Sequence, residues 1–238
     1  MSAKNISVLI PVYNEEEILK ETVLGLIGYL EKEFDYFEVV LTENGSNDQT
    51  REIMKKLQDD DFRVVGLIDP NVADYGKALI DGINQCKYEK ICILELDYLD
   101  LRFLQSAWEM LFKFDLVVGS KKLSPGIDQR PWKRKFFSNG YNLILKLFFG
   151  LTLSETHGLK ALRKSRLLEI ANNCITRHAV YPSEFVLRAC RDPQIKTIEI
   201  PLSMPLIEIR TTRIAASKRL KKTIDDLIRL RKALKDKT

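Results

Sequence analysis

Short apolar runs alternate with stretches of helical periodicity through the first half of the chain. Ile6–Ile10 is an apolar run that Pro11 closes, and a helix is expected over Glu15–Glu33, where Ile18, Leu19, Val23, Leu26 and Leu30 recur at helical spacing. Asn14 reads as its N-cap, and three glutamates suit its first turn. Further strands are predicted at Phe37–Thr42, Val64–Ile68, Ile91–Leu96 and Leu116–Gly119. Helices are predicted at Thr50–Leu57, from about Lys77 to Gln85, and around Phe103, Leu104, Trp108, Met110 and Leu111. This alternation predicts an α/β, Rossmann-like fold: a mostly parallel sheet with helices on both faces. Ligands of such sheets bind beyond the carboxyl ends of the strands.

The second half changes character. Arg130–Arg134 is basic and contains Trp132, and an apolar helix follows with Phe136, Phe137, Tyr141, Leu143, Ile144, Leu147 and Phe148. After it come a turn at Glu155–Gly158, two helical stretches and a strand at Ile195–Ile200. From about Ser217 the chain is Lys/Arg-rich, with Leu220, Ile224, Leu227, Ile228, Leu230 and Leu234 spaced as an amphipathic basic helix. The pattern predicts one domain over residues 1–212 and a C-terminal helix over 213–238. Within the domain, 129–153 reads either as core or as a membrane-interface segment.

Composition changes this picture little. The 238 residues suit one large domain, and the net charge of +5 favours phosphates or a lipid surface as partners. Nothing in the pattern points to nucleic acid. Four cysteines without a C-x-x-C pair and two histidines argue against a zinc centre and suit a reducing cytoplasm. The most apolar window, Tyr141–Leu153, is broken by Lys146 and is shorter than the ~20 residues a membrane span needs. A membrane role would therefore be peripheral.

Three strand ends carry the candidate chemistry. They are Pro11-Val12-Tyr13-Asn14-Glu15, Glu43-Asn44-Gly45-Ser46-Asn47-Asp48-Gln49-Thr50, and Glu95-Leu96-Asp97. Acidic and amide groups there suit ribose hydroxyls and base N–H groups. Glu95 and Asp97, read as positions i and i+2 of a strand, share a face and would repel without a cation between them. Mg²⁺ or Mn²⁺ is suited, since such a site combines one or two carboxylates with phosphate oxygens.

In their order, these motifs with Gly76-Lys77 and Val117–Lys121 resemble family-2 glycosyltransferases of the GT-A fold. Trp132, Arg134, Ser138, Asn142, Gly158-Leu159-Lys160 and Ser217-Lys218 look like the dolichyl-phosphate mannose synthase and polyprenyl-phosphate glucose synthase branch. The resemblance implies that Pro11, Tyr13, Glu15, Glu43, Gly76 and Lys77 hold the nucleotide sugar. It places the metal and diphosphate on Glu95 and Asp97, and the acceptor lipid phosphate on Lys121, Arg134, Ser138 and Arg213. Lys218 would close over the phosphates. Glu95, Asp97, Lys121, Arg134 and Lys218 are the implied catalytic set. The chain departs from the pattern in Glu43-Asn44 for two aspartates and in Glu95 for the first aspartate of the metal motif. It departs again in Leu99 for a glutamine, Ser154 for an aspartate with Glu155 one residue nearer the glycine, Ala215 for a glycine, and Arg213 displaced by one.

The expected activity is inverting transfer of a hexose from a GDP-mannose- or UDP-glucose-type donor to a polyprenyl (dolichyl) phosphate at the cytoplasmic face of a membrane. A small membrane-protein subunit is an expected further partner of the C-terminal helix. A phosphate monoester, with its second pKa near ~6, is already a nucleophile and needs cations rather than a base. Lys121, Arg130, Lys133 and Arg134 supply them, and no other carboxylate stands out as a base. Two alternatives stay open: a soluble transferase acting on a saccharide hydroxyl, and a non-catalytic nucleotide-sugar-binding subunit.

Overall fold

A computed structural model describes residues 3–69, 74–124, 126–204 and 216–235, with the backbone alone at 134, 179, 216–221 and 235. Strands β1 (Asn5–Val12), β2 (Tyr36–Glu43) and β3 (Val64–Leu67) alternate with helices α1 (Leu19–Glu33), α2 (Thr50–Asp60) and α3 (Tyr75–Gln85). Then follow β4 (Lys90–Ile93), α4 (Leu101–Met110), β5 (Leu116–Ser120), α5 (Trp132–Phe149), β6 (Lys160–Arg163), α6 (Lys164–Asn172), α7 (Tyr181–Arg191), β7 (Thr197–Pro201) and α8 (Ala216–Lys235). The seven strands lie in the order β3-β2-β1-β4-β6-β5-β7.

All neighbouring pairs are parallel except those of β6, which is antiparallel to both β4 and β5. That strand is absent from the periodicity because it is four residues long and holds Lys160 and Arg163 beside Ala161 and Leu162. Sequence order runs outward from β1 through β2 to β3, then returns to the other side of β1 with β4. The switch point therefore lies between β1 and β4, and a crevice opens at their carboxyl ends.

Alternation fills both faces of the sheet. Ile6, Val8, Ile10 and Val12 of β1 pack with Val39, Leu41 and Cys92 beneath α1, α2 and α4. Leu9, Val40, Ile91, Ile93 and Val118 pack beneath α3, α6 and α7, joined by Leu145 and Phe149 of α5 and Leu227 and Leu230 of α8. Each such fully buried aliphatic contributes about 1.5–3 kcal/mol relative to exposure.

Two boundaries differ from the pattern. β1 runs through Pro11 to Val12. The Leu9 carbonyl faces β4, accepting from Leu94 N at 3.0 Å, and the Val12 carbonyl faces β2, accepting from Asn44 N at 2.9 Å. Pro11 shares the parity of Leu9, so its missing N–H faces the side where β4 has already ended and no ladder bond is lost. Helix α1 starts at Leu19 rather than Glu15, because Asn14 is not a cap. Its φ of 54° is left-handed, and it ties two loops together instead.

Candidate active site

The loops after β1 and β2 are interlocked. Asn14 N donates to Ser46 Oγ at 2.9 Å, and Asn47 N donates to Asn14 Oδ1 at 2.9 Å. Glu15 N donates to Thr50 Oγ1 at 2.8 Å, and Gln49 N donates to Glu16 Oε2 at 2.9 Å. Gly45, at φ 79°, makes the turn that brings Ser46 N onto the Glu43 carboxylate. Glu43 is buried and pairs with Arg51 Nε at 3.1 Å, a close ion pair rather than an aligned hydrogen bond. Its carboxylate is thus turned inward to brace the loop. Tyr13 projects from the same rim, 47% exposed, while Pro11 is buried in β1.

A groove of about 580 Å³ opens beside these loops, lined by Thr42, Glu43, Leu67, Asp69, Asp74 and Lys77 among others. Thr42 Oγ1, on the groove wall, and Asn44 Oδ1, just past the end of β2, are buried with no protein hydrogen-bond partner. Buried polar atoms are almost always paired, so these two suit a ligand's polar edge. Lys77 Nζ is held by Asp69 at 3.0 Å and by Asp81 on the groove wall. Gly76 is buried against Tyr181, where a Cβ would lie 3.0 Å from the Tyr181 Cβ.

The carboxylate pair follows β4. That strand ends at Ile93, and Glu95–Tyr98 is a tight turn closed by Tyr98 N on Glu95 O at 3.0 Å. The pair therefore rides a turn rather than one strand face, a correction to the i, i+2 reading. Glu95 still lies close enough to Asp97 to be affected by its charge. Burial chiefly, with the Asp97 charge added, pushes Glu95 up to about 7, against the Tyr75 hydrogen bond (2.8 Å) and the Lys160 ammonium. Lys160, the first residue of β6 and buried, is pushed down to about 8 by burial despite Glu95 and Glu155. Its Nζ donates to Gly158 O at 2.7 Å. Two hard oxygen donors fit the share a Mg²⁺ or Mn²⁺ takes from protein when phosphates and water complete its shell. Among the described residues no third His, Cys, Asp or Glu joins them as a cluster.

The far side of the crevice is built on β5 and the loop before β6. Gly119 N donates to Leu159 O at 2.8 Å, and a Cβ on Gly158 would lie 1.9 Å from Gly119 O, so only glycine allows this approach. The contact brings Lys121, just after β5, onto buried Glu155. Burial works to raise the Glu155 pKa, but the Lys121 ammonium outweighs it and holds the carboxyl below its usual range. Glu155 Oε1 also accepts Thr156 N (3.0 Å) and His157 N (3.1 Å), and Glu199 of β7 accepts Ser154 N and Glu155 N, each at 2.8 Å. Asn142 of α5 donates to Ser154 O at 3.1 Å, and half-buried Ser138 stands one turn earlier on the same helix face.

The structure thus gathers Tyr13, Glu15, Glu43, Gly76, Lys77, Glu95, Asp97 and Lys121 at one edge of the sheet. Arg213 and the side chains of Arg134 and Lys218 lie outside the described residues. Sequence reasoning missed Thr42, Arg51, Tyr75 and Glu199, and gave no role to Glu155 or to Lys160, which it read only within the Gly158–Lys160 motif. None stands in an acidic strand-end motif, and only the crossing of β6 between β4 and β5 brings Lys160 and Glu155 to the crevice.

The fold is thus an α/β protein whose crevice, at the switch point where such sheets bind ligands, carries a carboxylate pair. The family model "Glycosyl transferase family 2" matches residues 7–171, and the chain belongs to that family. It is 27% identical over 192 residues to glycosyltransferase AglD of Haloferax volcanii, which covers 78% of this chain and 31% of AglD. It is 26% identical over 216 residues to dolichyl-phosphate beta-glucosyltransferase ALG5A of Trichomonas vaginalis, covering 86% of this chain and 64% of the relative. A third relative is the undecaprenyl-phosphate 4-deoxy-4-formamido-L-arabinose transferase of Edwardsiella ictaluri, 26% identical, covering 83% of this chain and 59% of that protein. The chain thus spans from about a third to just under two thirds of these relatives. The same fold occurs in glucosyl-3-phosphoglycerate synthase from Mycobacterium tuberculosis, solved with Mn²⁺, UDP-glucose and phosphoglyceric acid. The TM-score is 0.63 at 17% identity, covering 96% of this chain and 80% of that one.

Proposed function

We propose that the chain transfers a hexosyl group from a nucleoside diphosphate sugar to a polyprenyl phosphate, working on the surface of a membrane. The observation that carries this is the outward face of α5. Trp132 is 72% exposed, Phe136 69%, Phe137 71% and Leu147 72%, while Leu145 and Phe149 face the core. The aromatic stripe is therefore not core. Ile224 and Ile228 of α8 are also exposed, and Arg231 of α8 covers the Phe148 ring at 5.0 Å. An apolar surface rimmed by Lys133, Lys135 and Lys146 suits a bilayer interface with anionic headgroups. Among the described residues no helix is long and apolar enough to cross a membrane. The relatives' polyprenyl-phosphate names support the same acceptor class. The cytoplasmic face, and a membrane-protein partner for α8, belong to this reading.

In this mechanism the groove beside β2 holds the nucleoside, with Thr42 offering its unpaired oxygen. Glu95 and Asp97 would hold the divalent cation, which when bound neutralises charge on the diphosphate leaving group. Lys121, oriented by Glu155, receives the acceptor phosphate, joined by Arg134, Ser138 and Arg213. Lys218 would balance the phosphates as the bond to the sugar breaks. The phosphate oxygen attacks the anomeric carbon directly, without a general base, and inverts it.

The test is transfer from labelled UDP-glucose or GDP-mannose to dolichyl phosphate with Mg²⁺ or Mn²⁺, beside Asp97→Ala. A lipid-soluble product made by the wild type alone is expected. No lipid product across both donors would sink the reading.

One observation favours a second reading: Glu155 is a carboxylate inside the crevice, where a hydroxyl acceptor would need its base. Transfer to a saccharide with no lipid product would establish it.

A further inference from the structure

Tyr75 opens α3, and its place is fixed from two sides. Asp74 Oδ1 caps the helix, accepting Lys77 N at 3.0 Å and His178 N at 3.4 Å. Gly76 closes on α7, where a Cβ would stand 3.0 Å from the Tyr181 Cβ and 3.2 Å from the Arg177 Cα. From this rigid base the Tyr75 hydroxyl donates to Glu95 Oε1 at 2.8 Å. We propose that Tyr75 is a positioning residue for Glu95: it occupies Oε1, fixes the carboxylate plane, and leaves Oε2 for the divalent cation beside Asp97. The proposal rests on the nucleotide-sugar reading above.

Tyr75 also accounts for the glutamate. An aspartate at position 95 would withdraw the carboxylate by roughly one C–C bond, about 1.5 Å, and so out of hydrogen-bond range of the phenol. Tyr75 and Glu95 therefore act as a unit, and the longer arm is what reaches the tyrosine. Burial holds the Tyr75 phenol well above its ordinary pKa, so it stays a donor at any working pH.

The experiment is calorimetric titration of UDP and of GDP into the full chain across a Mn²⁺ series. It is run on wild type, Tyr75→Phe, Glu95→Asp and the double variant, each checked for fold by circular dichroism. One hydrogen bond to a charged group corresponds to a loss of roughly tenfold. Each single variant should weaken apparent Mn²⁺ affinity by about that factor; in Tyr75→Phe, nucleotide affinity in the absence of metal should be unchanged. The double variant should be no more than about twofold worse than the weaker single, the sign of a coupled pair. Wild-type Mn²⁺ affinity in Tyr75→Phe, or additive losses in the double variant, would overturn the proposal. A wild type whose nucleotide binding ignores Mn²⁺ would overturn the parent reading instead. Should Tyr75→Phe fail to fold, Glu95→Asp carries the test alone, and Mn²⁺ binding equal to or tighter than wild type would refute the pairing.

Discussion

Glu155→Gln separates the two acceptor chemistries. The Glu155 side chain is 1% exposed and that of Lys121 is 10% exposed. The amide oxygen can still accept Thr156 N and His157 N, but Lys121 loses its ion-pair partner and keeps only the more distant Asp128 charge. Removing one partner of a buried pair costs about 3–5 kcal/mol. Lys121 keeps some access to water, so the lower end, about 3 kcal/mol, is expected. For a chain of this size that is a fall in Tm of roughly 6–12 °C. Because Lys121 holds the Glu155 carboxyl below its usual range, this stabilisation is present above the unfolded carboxylate pKa of about 4.3. It is lost as pH falls through the lower folded value, so wild type and variant should converge in acid. In the transfer assay an unanchored Lys121 should raise the acceptor KM about tenfold and lower kcat by less than that. A general base would instead contribute 10²–10⁴-fold, almost all of it in kcat. A kcat loss above a hundredfold at unchanged acceptor KM would refute the positioning role and transfer the chemistry to Glu155 itself. An unchanged Tm would refute the ion-pair argument.

Three further outcomes are expected. Gly158→Ala forces a Cβ to within 1.9 Å of Gly119 O, so β5 and β6 must separate; thermal melts should show a fall of many degrees, and a melt unchanged from wild type would contradict the close approach. Replacing Trp132, Phe136 and Phe137 together by glutamate should abolish liposome flotation while leaving nucleotide affinity within twofold, since their side chains are exposed and do not line the groove beside β2; retained flotation would show that α5 is not the membrane face. In metal-free buffer, Glu95, pushed up to about 7 mainly by burial, adds stability below the unfolded value of about 4.3 that is lost as pH rises through 7. Glu95→Gln should flatten that part of the stability–pH curve, and a curve of unchanged shape would contradict it.

The sequence by itself determined what depends on local periodicity. Period-two apolar runs and period-3.6 helices prescribe the α/β layers, because each residue's face is set by its own neighbours along the chain. The three strand-end motifs were legible for the same reason: strands and their following turns are contiguous. Where a boundary depended on pairing, the local signal failed. Pro11 reads as a stop, but the end of β4 makes its missing N–H harmless. Asn14 reads as a cap, but Ser46 and Asn47, 32 and 33 residues away, claim it.

Only the tertiary structure decided how the carboxylates are used. Glu43 reads as a nucleoside contact, and Arg51 with Ser46 turns it inward. Glu155, one residue out of the expected place, reaches Lys121 because Gly158 lets two backbones touch. The aromatic helix allowed core and interface readings, the basic residues before it tipping the balance to the interface, since periodicity gives a stripe but not its partner. The body of the protein covers Leu145 and Phe149 and leaves Trp132, Phe136 and Phe137 bare. Burial and charge pairing are sums over residues distant in sequence, so they exist only once the sheet has brought those residues together.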